Sequence, residues 1–172
     1  MLLLKIRNMI VKTQNKLSLI IVVLLAINVL IACRKMEKYP DTPYLEFRSL
    51  TKIDNGTPID NEAILTTYFT DGKGNIGAIG NDTAKNFFIT YYELQNGQWV
   101  APPEFTEAFH VCLPQFLDDG VEEPLDGEIK LKININNPYS SFDSIKFECY
   151  VVDRNKLKSN TITTDTIIVK KL

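Results

Sequence analysis

A histidine and a cysteine two positions apart are the residues of this chain that come closest to a reactive pair. His110 is the only histidine, and it shares one face of a predicted strand with Cys112. An imidazole near a thiol raises the thiolate fraction, as in cysteine nucleophiles. The sequence supplies neither a group that would orient the imidazole nor an oxyanion site, and one histidine with few cysteines makes a poor zinc site. We therefore predict no catalytic residue and no cofactor.

A glycine-bearing turn carries the second candidate. Asp71, Lys73 and Asn75 occupy alternate positions of this turn, and calcium takes oxygen ligands from alternate positions of a tight loop. Lys73 places an ammonium group where a ligand should stand. We therefore expect a turn capped by Asp71 that binds calcium weakly or not at all, with Asp71 and Asn75 as a weak candidate metal site.

Three aromatic residues lie on or beside one predicted hairpin, namely Tyr91, Tyr92 and Trp99. Such rings stack on sugar rings while their polar atoms form hydrogen bonds at the rim. In a sandwich about half of them must face the core. A ligand platform for glycans is therefore one hypothesis, and a purely structural role is the other.

An acidic loop offers carboxylates for hydrolysis. The segment from Leu113 to Gly127 is predicted to be a solvated loop, and it contains Asp118, Asp119 and Glu122. A pair of carboxylates about 5 to 10 Å apart across a cleft can cleave a glycosidic bond, although runs of charge in loops are usually only solvated. A hydrolase that uses Asp and Glu side chains is therefore the alternative function.

The N-terminus has the pattern of a signal peptide, with basic residues first and an apolar run from Leu17 to Ala32 after them. The run has 16 residues, whereas a helix needs about 20 to cross a bilayer. It ends in Leu30-Ile31-Ala32-Cys33, which resembles the lipobox of bacterial lipoproteins, where the cysteine is acylated and becomes the first residue. The resemblance implies a signal peptide over residues 1–32, or a shorter one starting at Met9, and a lipid on Cys33.

The chain that follows the signal peptide is acidic. Cleavage before Cys33 leaves 15 basic and 21 acidic residues, a net charge of −6. Nucleic acid and anionic lipid both require clustered Lys and Arg, so we expect neither as the main partner. The polar, proline-bearing segment 33–42 predicts a flexible tether, and 43–172 has the length of one domain.

Apolar and polar residues alternate through most of this domain, which is the period of a β-strand. The alternating sets are Leu45 and Phe47; Leu65, Thr67 and Phe69; Phe88, Thr90, Tyr92 and Leu94; Ile129, Leu131, Ile133 and Ile135; and Ile145, Phe147, Cys149 and Val151. Residues 162–169 predict a last strand, and Asn96-Gly97 predicts a two-residue type I′ turn. Seven or eight short antiparallel strands predict an all-β sandwich.

Two stretches resemble known families. The stretch from Phe69 to Gly77 is similar to the pattern F-x-D-G-D-G-D-I-G of small Bacteroidota lipoproteins, whose second and third carboxylates are Lys73 and Asn75 here. The stretch from Val152 to Asn155, followed by Ser159-Asn160, resembles the turn before the last strand of bacterial immunoglobulin-like and fibronectin-type-III-like domains. The resemblance implies an outer-membrane lipoprotein with an immunoglobulin-like sandwich, and it implies no activity.

Export would permit two covalent modifications. Asp82-Thr83-Ala84 resembles a short O-glycosylation motif of exported proteins in this bacterial group, with Thr83 as the accessible acceptor. An oxidising compartment also permits disulfides, and Cys112 and Cys149 lie on predicted strands. They form either a bond between the two sheets or two separate thiols, and the sequence leaves both alternatives open.

Together these features predict an exported lipoprotein that is anchored in the cell envelope, most simply at the outer membrane, through its lipid. Its domain is predicted to be a non-catalytic binding or structural module for an envelope protein or a glycan. The alternative is an envelope hydrolase. The ligand, the face of the membrane and the oligomeric state do not follow from the sequence.

Overall fold

The alternating residues form the strands of two antiparallel sheets in the computed structural model, which describes residues 39–105, 107–118 and 120–171. The strands, in chain order, are β1 (Tyr44–Lys52), β2 (Glu62–Asp71), β3 (Phe87–Gln95), β4 (Gln98–Val100), β5 (Leu125–Asn134), β6 (Ser144–Val151), β7 (Ile162–Thr163) and β8 (Ile167–Ile168), with one 3-10 helix at Pro103–Phe105. The predicted residues 1–32 and Cys33 lie outside the described residues. The predicted all-β sandwich is confirmed.

The strand order is immunoglobulin-like. One sheet has the order β1-β2-β5, and the other has β4-β3-β6-β7, with β8 also paired to β6. In the immunoglobulin constant-type sandwich the first, second and fifth strands likewise share one sheet, while the third, sixth and seventh share the other. Here the fourth strand pairs with the third, so β5 is left as an edge of the three-stranded sheet.

The register defines two ends of the sandwich. At one end Tyr44 pairs with Thr70, and Asp71 pairs with Leu125. At the other end Glu62 pairs with Asn134. We call the end with Tyr44 and Asp71 the N-terminal pole, because the chain enters β1 there, and the end with Glu62 and Asn134 the distal pole.

The core lies between the sheets, and β6 shows why the alternation was informative. Ile145, Phe147, Cys149 and Val151 are fully buried, while the residues between them are half-buried. Side chains of a strand point alternately to its two faces, so one face of β6 fills the core. The predicted inward face of this strand is confirmed.

The alternating set that marked β3 in the sequence forms its outer face. Phe88, Thr90 and Tyr92 face outward, and the alternate set of Phe87, Ile89, Tyr91 and Glu93 is buried. This strand is apolar on both faces, so its sequence shows no clean alternation, and shifting the assignment by one residue exchanges the two faces. Stacking covers the outer apolar face, as where the Phe88 and Tyr150 ring centroids lie 4.8 Å apart.

The hairpin turn between β3 and β4 is confirmed. Asn96 has a φ of 52° and Gly97 a φ of 83°, and the flanking Gln95 and Gln98 are paired. Both central residues of a type I′ turn require positive φ, which Asn and Gly tolerate.

The last strand is interrupted. The single strand predicted over 162–169 is divided into β7 and β8, which both pair with β6. Between them the backbone N–H of Phe147 donates to Thr164 Oγ1 at 3.0 Å. A side-chain oxygen thus replaces a carbonyl in the ladder.

The end of the predicted tether contacts the sandwich. The N–H of Gly72 donates to the carbonyl oxygen of Pro40 at 2.8 Å, and a Cβ at Gly72 would collide with the carbonyl oxygen of Tyr39. Tyr39 and Pro40 are therefore fixed on the turn at the N-terminal pole, within the segment predicted to be flexible.

Candidate functional site

His110 and Cys112 make separate contacts. His110 Nδ1 accepts a hydrogen bond from the N–H of Ile89 at 3.3 Å, and its ring meets Phe88 edge-on with centroids 5.1 Å apart. The Cys112 thiol donates to the carbonyl oxygen of Asp82 at 3.5 Å. The two side chains do not form a nucleophile and base pair.

The two cysteines of the sandwich are free thiols. Cys149 is fully buried in the core, whereas Cys112 is half-buried beside Asp82. Burial raises the pKa of the Cys149 thiol to about 12, and the charge of Glu148 adds to the effect. Of the two alternatives left open by the sequence, the structure has the separate thiols and not the disulfide.

The predicted aromatic platform is split between the two faces of β3. Tyr91 is 2% exposed and belongs to the core, while Tyr92 and Trp99 lie on the outer face. Lys146 Nζ lies over both outer rings, 5.4 Å from the Tyr92 centroid and 4.9 Å from the Trp99 centroid. The rings of Tyr92 and Trp99 on the outer face are therefore already in cation–π contact with Lys146.

Glu93 is a buried carboxylate that the sequence did not reveal. It is fully buried. Four side chains donate to it: Tyr91 (2.9 Å) and Asn137 (3.0 Å) to Oε1, and Gln95 (3.1 Å) and Ser140 (2.7 Å) to Oε2. Burial raises the pKa of Glu93, but the hydrogen bonds, led by that of Ser140, outweigh it and leave the pKa below its usual value. The carboxylate fixes residues 136–140 to β3.

Lys171 holds the same loop from the other side. Its Nζ donates to the carbonyl oxygens of Ser140 at 2.7 Å and Asn137 at 3.2 Å. Burial lowers the pKa of Lys171, and the charge of Glu93 opposes this shift. The loop is therefore held between an anion and a cation.

An open cleft of about 750 Å³ lies against this loop at the distal pole. Its floor is aromatic, because Tyr91, Phe105 and Phe109 pack with centroids 5.4 to 5.8 Å apart. Tyr139 stands at its rim and is 88% exposed. Amide side chains are the main polar groups of its walls, and they come from Asn55, Asn61, Asn134 and Asn136. Asn137 also borders the cleft, but its carboxamide is buried and bonded to Glu93.

The charges of the cleft are balanced. Glu62 and Lys132 line it and form an ion pair at 2.9 Å. Each carboxamide carries both a hydrogen-bond donor and an acceptor. The arrangement suits an uncharged ligand with hydroxyl or amide groups and an apolar face.

The turn predicted as a weak metal site is held by its own backbone. The buried carboxylate of Asp71 accepts N–H groups from Lys73 (3.1 Å), Asn75 (2.8 Å) and Ile76 (3.0 Å). Burial raises the pKa of Asp71, and the charge of Asp153 adds to this. Lys73 Nζ lies 3.7 Å from Asp41, so its ammonium is paired outside the turn.

The remaining predicted sites lie on exposed loops. Asp118 and Glu122 of the acidic loop are exposed, and Asp119 lies outside the described residues. Thr83 is also exposed, in a turn where the N–H of Ala84 donates to Asp82 Oδ1 at 2.9 Å.

In the described ranges, no helix has the length and apolar character to cross a membrane. In the same ranges, no three His, Cys, Asp or Glu side chains come together as a metal site. No protein-family model matches the chain, and neither a curated protein nor a solved structure is significantly similar to it. Fold and local chemistry are therefore the basis for assigning a function.

Proposed function

We propose that this chain is an exported lipoprotein, anchored to the cell envelope through Cys33, that binds a neutral glycan in the distal cleft without turning it over. The observation that carries the proposal is the set of four asparagines, Asn55, Asn61, Asn134 and Asn136, over an aromatic floor. A sugar ring offers an apolar face to aromatic rings and hydroxyl groups to carboxamides. An uncharged glycan also suits this cleft, because the two charged side chains that line it already form an ion pair with each other.

The position of the cleft suits an anchored protein. The chain enters the sandwich at the N-terminal pole, and the 10 residues of β2 run from there to the distal pole. Each residue of a strand advances about 3.4 Å, so the two poles are separated by roughly 30 Å. A lipid on Cys33 would hold the N-terminal pole near the membrane and the cleft away from it.

The loop beside the cleft is organised before any ligand arrives. Asn137 donates to Glu93 through Nδ2 and accepts the N–H of Tyr139 at 3.0 Å through Oδ1. These bonds set the backbone that carries Asn136 and the exposed ring of Tyr139. A preformed wall lowers the entropy cost of binding, which favours a role in recognition.

The hydrolase alternative gains no specific support. Carboxylate chemistry on a glycosidic bond needs two acidic groups across the bound sugar. Among the described residues that line the cleft, the acidic side chain is Glu62, and it is paired with Lys132. We therefore propose binding alone.

The test of ligand binding compares two exposed tyrosines. Protein from the full chain, purified in detergent, is passed over immobilised neutral polysaccharides, and Tyr139→Ala is compared with Tyr44→Ala at the opposite pole. We expect Tyr139→Ala to weaken retention about five- to tenfold, because stacking of a sugar on one ring contributes about 1 to 1.4 kcal/mol. Equal retention of both variants, or retention only on an anionic polysaccharide, would overturn the assignment.

The lipid anchor has its own test. Mass spectrometry of the N-terminal peptide should find a chain that begins at Cys33 and carries acyl groups. Cys33→Ala should leave the protein without acyl groups and in the soluble fraction. An unmodified Cys33, or a mature chain that starts elsewhere, would contradict the proposal.

A further inference from the structure

Two buried oxygen atoms at the N-terminal pole have no hydrogen-bond donor. They are Asn75 Oδ1 and Asp153 Oδ2, and each of these residues is only 3% exposed. The great majority of buried polar atoms in folded proteins are paired, so each exception calls for a cause. Two of them on contacting loops point to a partner that the chain does not supply.

The loops that carry these atoms meet beside a third oxygen-bearing group. The N–H of Arg154 donates to the carbonyl oxygen of Asn75 at 3.2 Å, and the N–H of Asn75 donates to Asp71 Oδ2 at 2.8 Å. Asp71 and Asp153 are near enough for the charge of one to act on the other. Among the described residues, neither carboxylate forms an ion pair with Lys or Arg.

We propose that the side-chain oxygens of Asp71, Asn75 and Asp153 bind a calcium ion. Calcium takes six to eight oxygen ligands in a flexible arrangement, and water can supply those that the protein does not. Asp71 and Asn75 hold the first and fifth positions of their turn, which are ligand positions in calcium loops. Magnesium is a poorer fit because it demands a near-ideal octahedron.

Asp153 supplies a carboxylate ligand in place of the one that is missing at Lys73. Lys73 stands at the third position, but its ammonium lies beside Asp41, so it does not fill the space between the carboxylates. Asp153 adds a second carboxylate from the loop after β6, and one of its oxygens remains available while Oδ1 accepts the N–H of Leu157 at 2.7 Å. The site therefore joins two loops of different sheets.

A competing cation lowers the expected affinity. The seventh position of a calcium loop offers a backbone carbonyl, and here that carbonyl, of Gly77, accepts from Arg154 Nη1 at 3.3 Å. One ligand is thus engaged and a positive charge lies nearby. We expect a dissociation constant of about 10⁻⁴ to 10⁻³ M, the range of extracellular calcium modules.

The test is thermal unfolding of the protein from the full chain, purified in detergent, in about 5 mM calcium or magnesium chloride. Calcium should raise Tm by about 2 to 6 °C more than magnesium does. Asp153→Asn should lose this difference and still fold, because the substitution keeps the size of the side chain and removes one buried charge. Asp118→Asn, on the exposed acidic loop, should keep it.

Each outcome decides the question. Equal Tm values in the two salts would overturn the site, as would a calcium effect that survives Asp153→Asn. Loss of the effect in Asp118→Asn would place the ion in the acidic loop and would also overturn it. None of these results bears on glycan retention, so they test the calcium site independently of the proposed function.

Discussion

The two poles of the sandwich differ in how completely the chain supplies hydrogen bonds to their buried side-chain oxygens. At the distal pole Glu93 receives four side-chain hydrogen bonds, so the chain itself satisfies the charge. At the N-terminal pole Asp153 keeps one buried oxygen without a donor, and Asn75 beside it does the same. The first arrangement is complete and serves structure. The arrangement at the N-terminal pole leaves buried oxygens without donors, which is expected of a site that binds a cation.

Glu93→Gln should reduce the free energy of unfolding more than any other change proposed here. A glutamine side chain has one accepting oxygen and one donating NH₂ group, so it cannot accept from all four donors around Glu93. An unpaired buried donor costs about 1 to 3 kcal/mol, so we expect the free energy of unfolding to fall by about 2 to 4 kcal/mol. Urea denaturation measures it, with Glu128→Gln on the exposed face of β5 as the control. A loss no larger than that of the control would contradict the account of the distal pole.

Acid should remove the same contribution from the native protein. The pKa of Glu93 is lowered in the folded state from its ordinary value of 4.5, so its stabilisation is fully present above about pH 4.5. It is lost as the pH falls through the lower folded-state pKa. Urea midpoints of the native protein and Glu93→Gln should therefore converge as the pH falls through the folded-state pKa. A constant difference across this range would show that the charge of Glu93 does not matter.

Asn75→Asp should sharpen the contrast from the other side. A third carboxylate strengthens calcium binding, and we expect the affinity to rise about tenfold, equivalent to about 1.4 kcal/mol. Isothermal titration calorimetry measures the change, and Asn55→Asp at the distal pole is the matched control. An unchanged affinity would mean that residue 75 is not a ligand.

Asp153→Asn in calcium-free buffer should have the smallest effect. An amide of the same size removes one buried charge, so stability should stay within about 1 kcal/mol of the native protein. Urea denaturation in a chelator provides the measurement. A loss as large as that of Glu93→Gln would show that Asp153 is satisfied by the chain alone.

Local signals in the sequence were sufficient for much of the fold. The alternation in β6 and the Asn96-Gly97 turn depend on neighbouring residues, and both predictions are confirmed. The sequence did not define the inward face of β3, because both of its faces are apolar, and Glu93 was missed for the same reason. Once Tyr91 is known to face the core, the charged residue two positions later, Glu93, must face the core as well, and this indicates a buried carboxylate.

The candidate sites depend on contacts between residues far apart in sequence. Asp153 was noted only as a turn residue, because nothing near it reveals that its loop meets the turn at Asp71. The distal cleft likewise combines Asn61, Tyr91, Phe109 and Asn136 from separate elements. The spacing within one segment could not bring them together. The pairing of β2 with β5 places Asn61 near Asn136, and the packing of the two sheets adds Tyr91 and Phe109.

The central claim is that a neutral glycan binds in the distal cleft. Hydrogen–deuterium exchange of the protein, measured with and without a neutral polysaccharide that the affinity column has shown to bind, tests it most directly. Binding in the distal cleft should slow exchange at residues 107–111 and 132–140 and leave residues 71–77 and the hairpin at 92–100 unchanged. Slower exchange confined to the hairpin would place the glycan on Tyr92 and Trp99 and contradict the account.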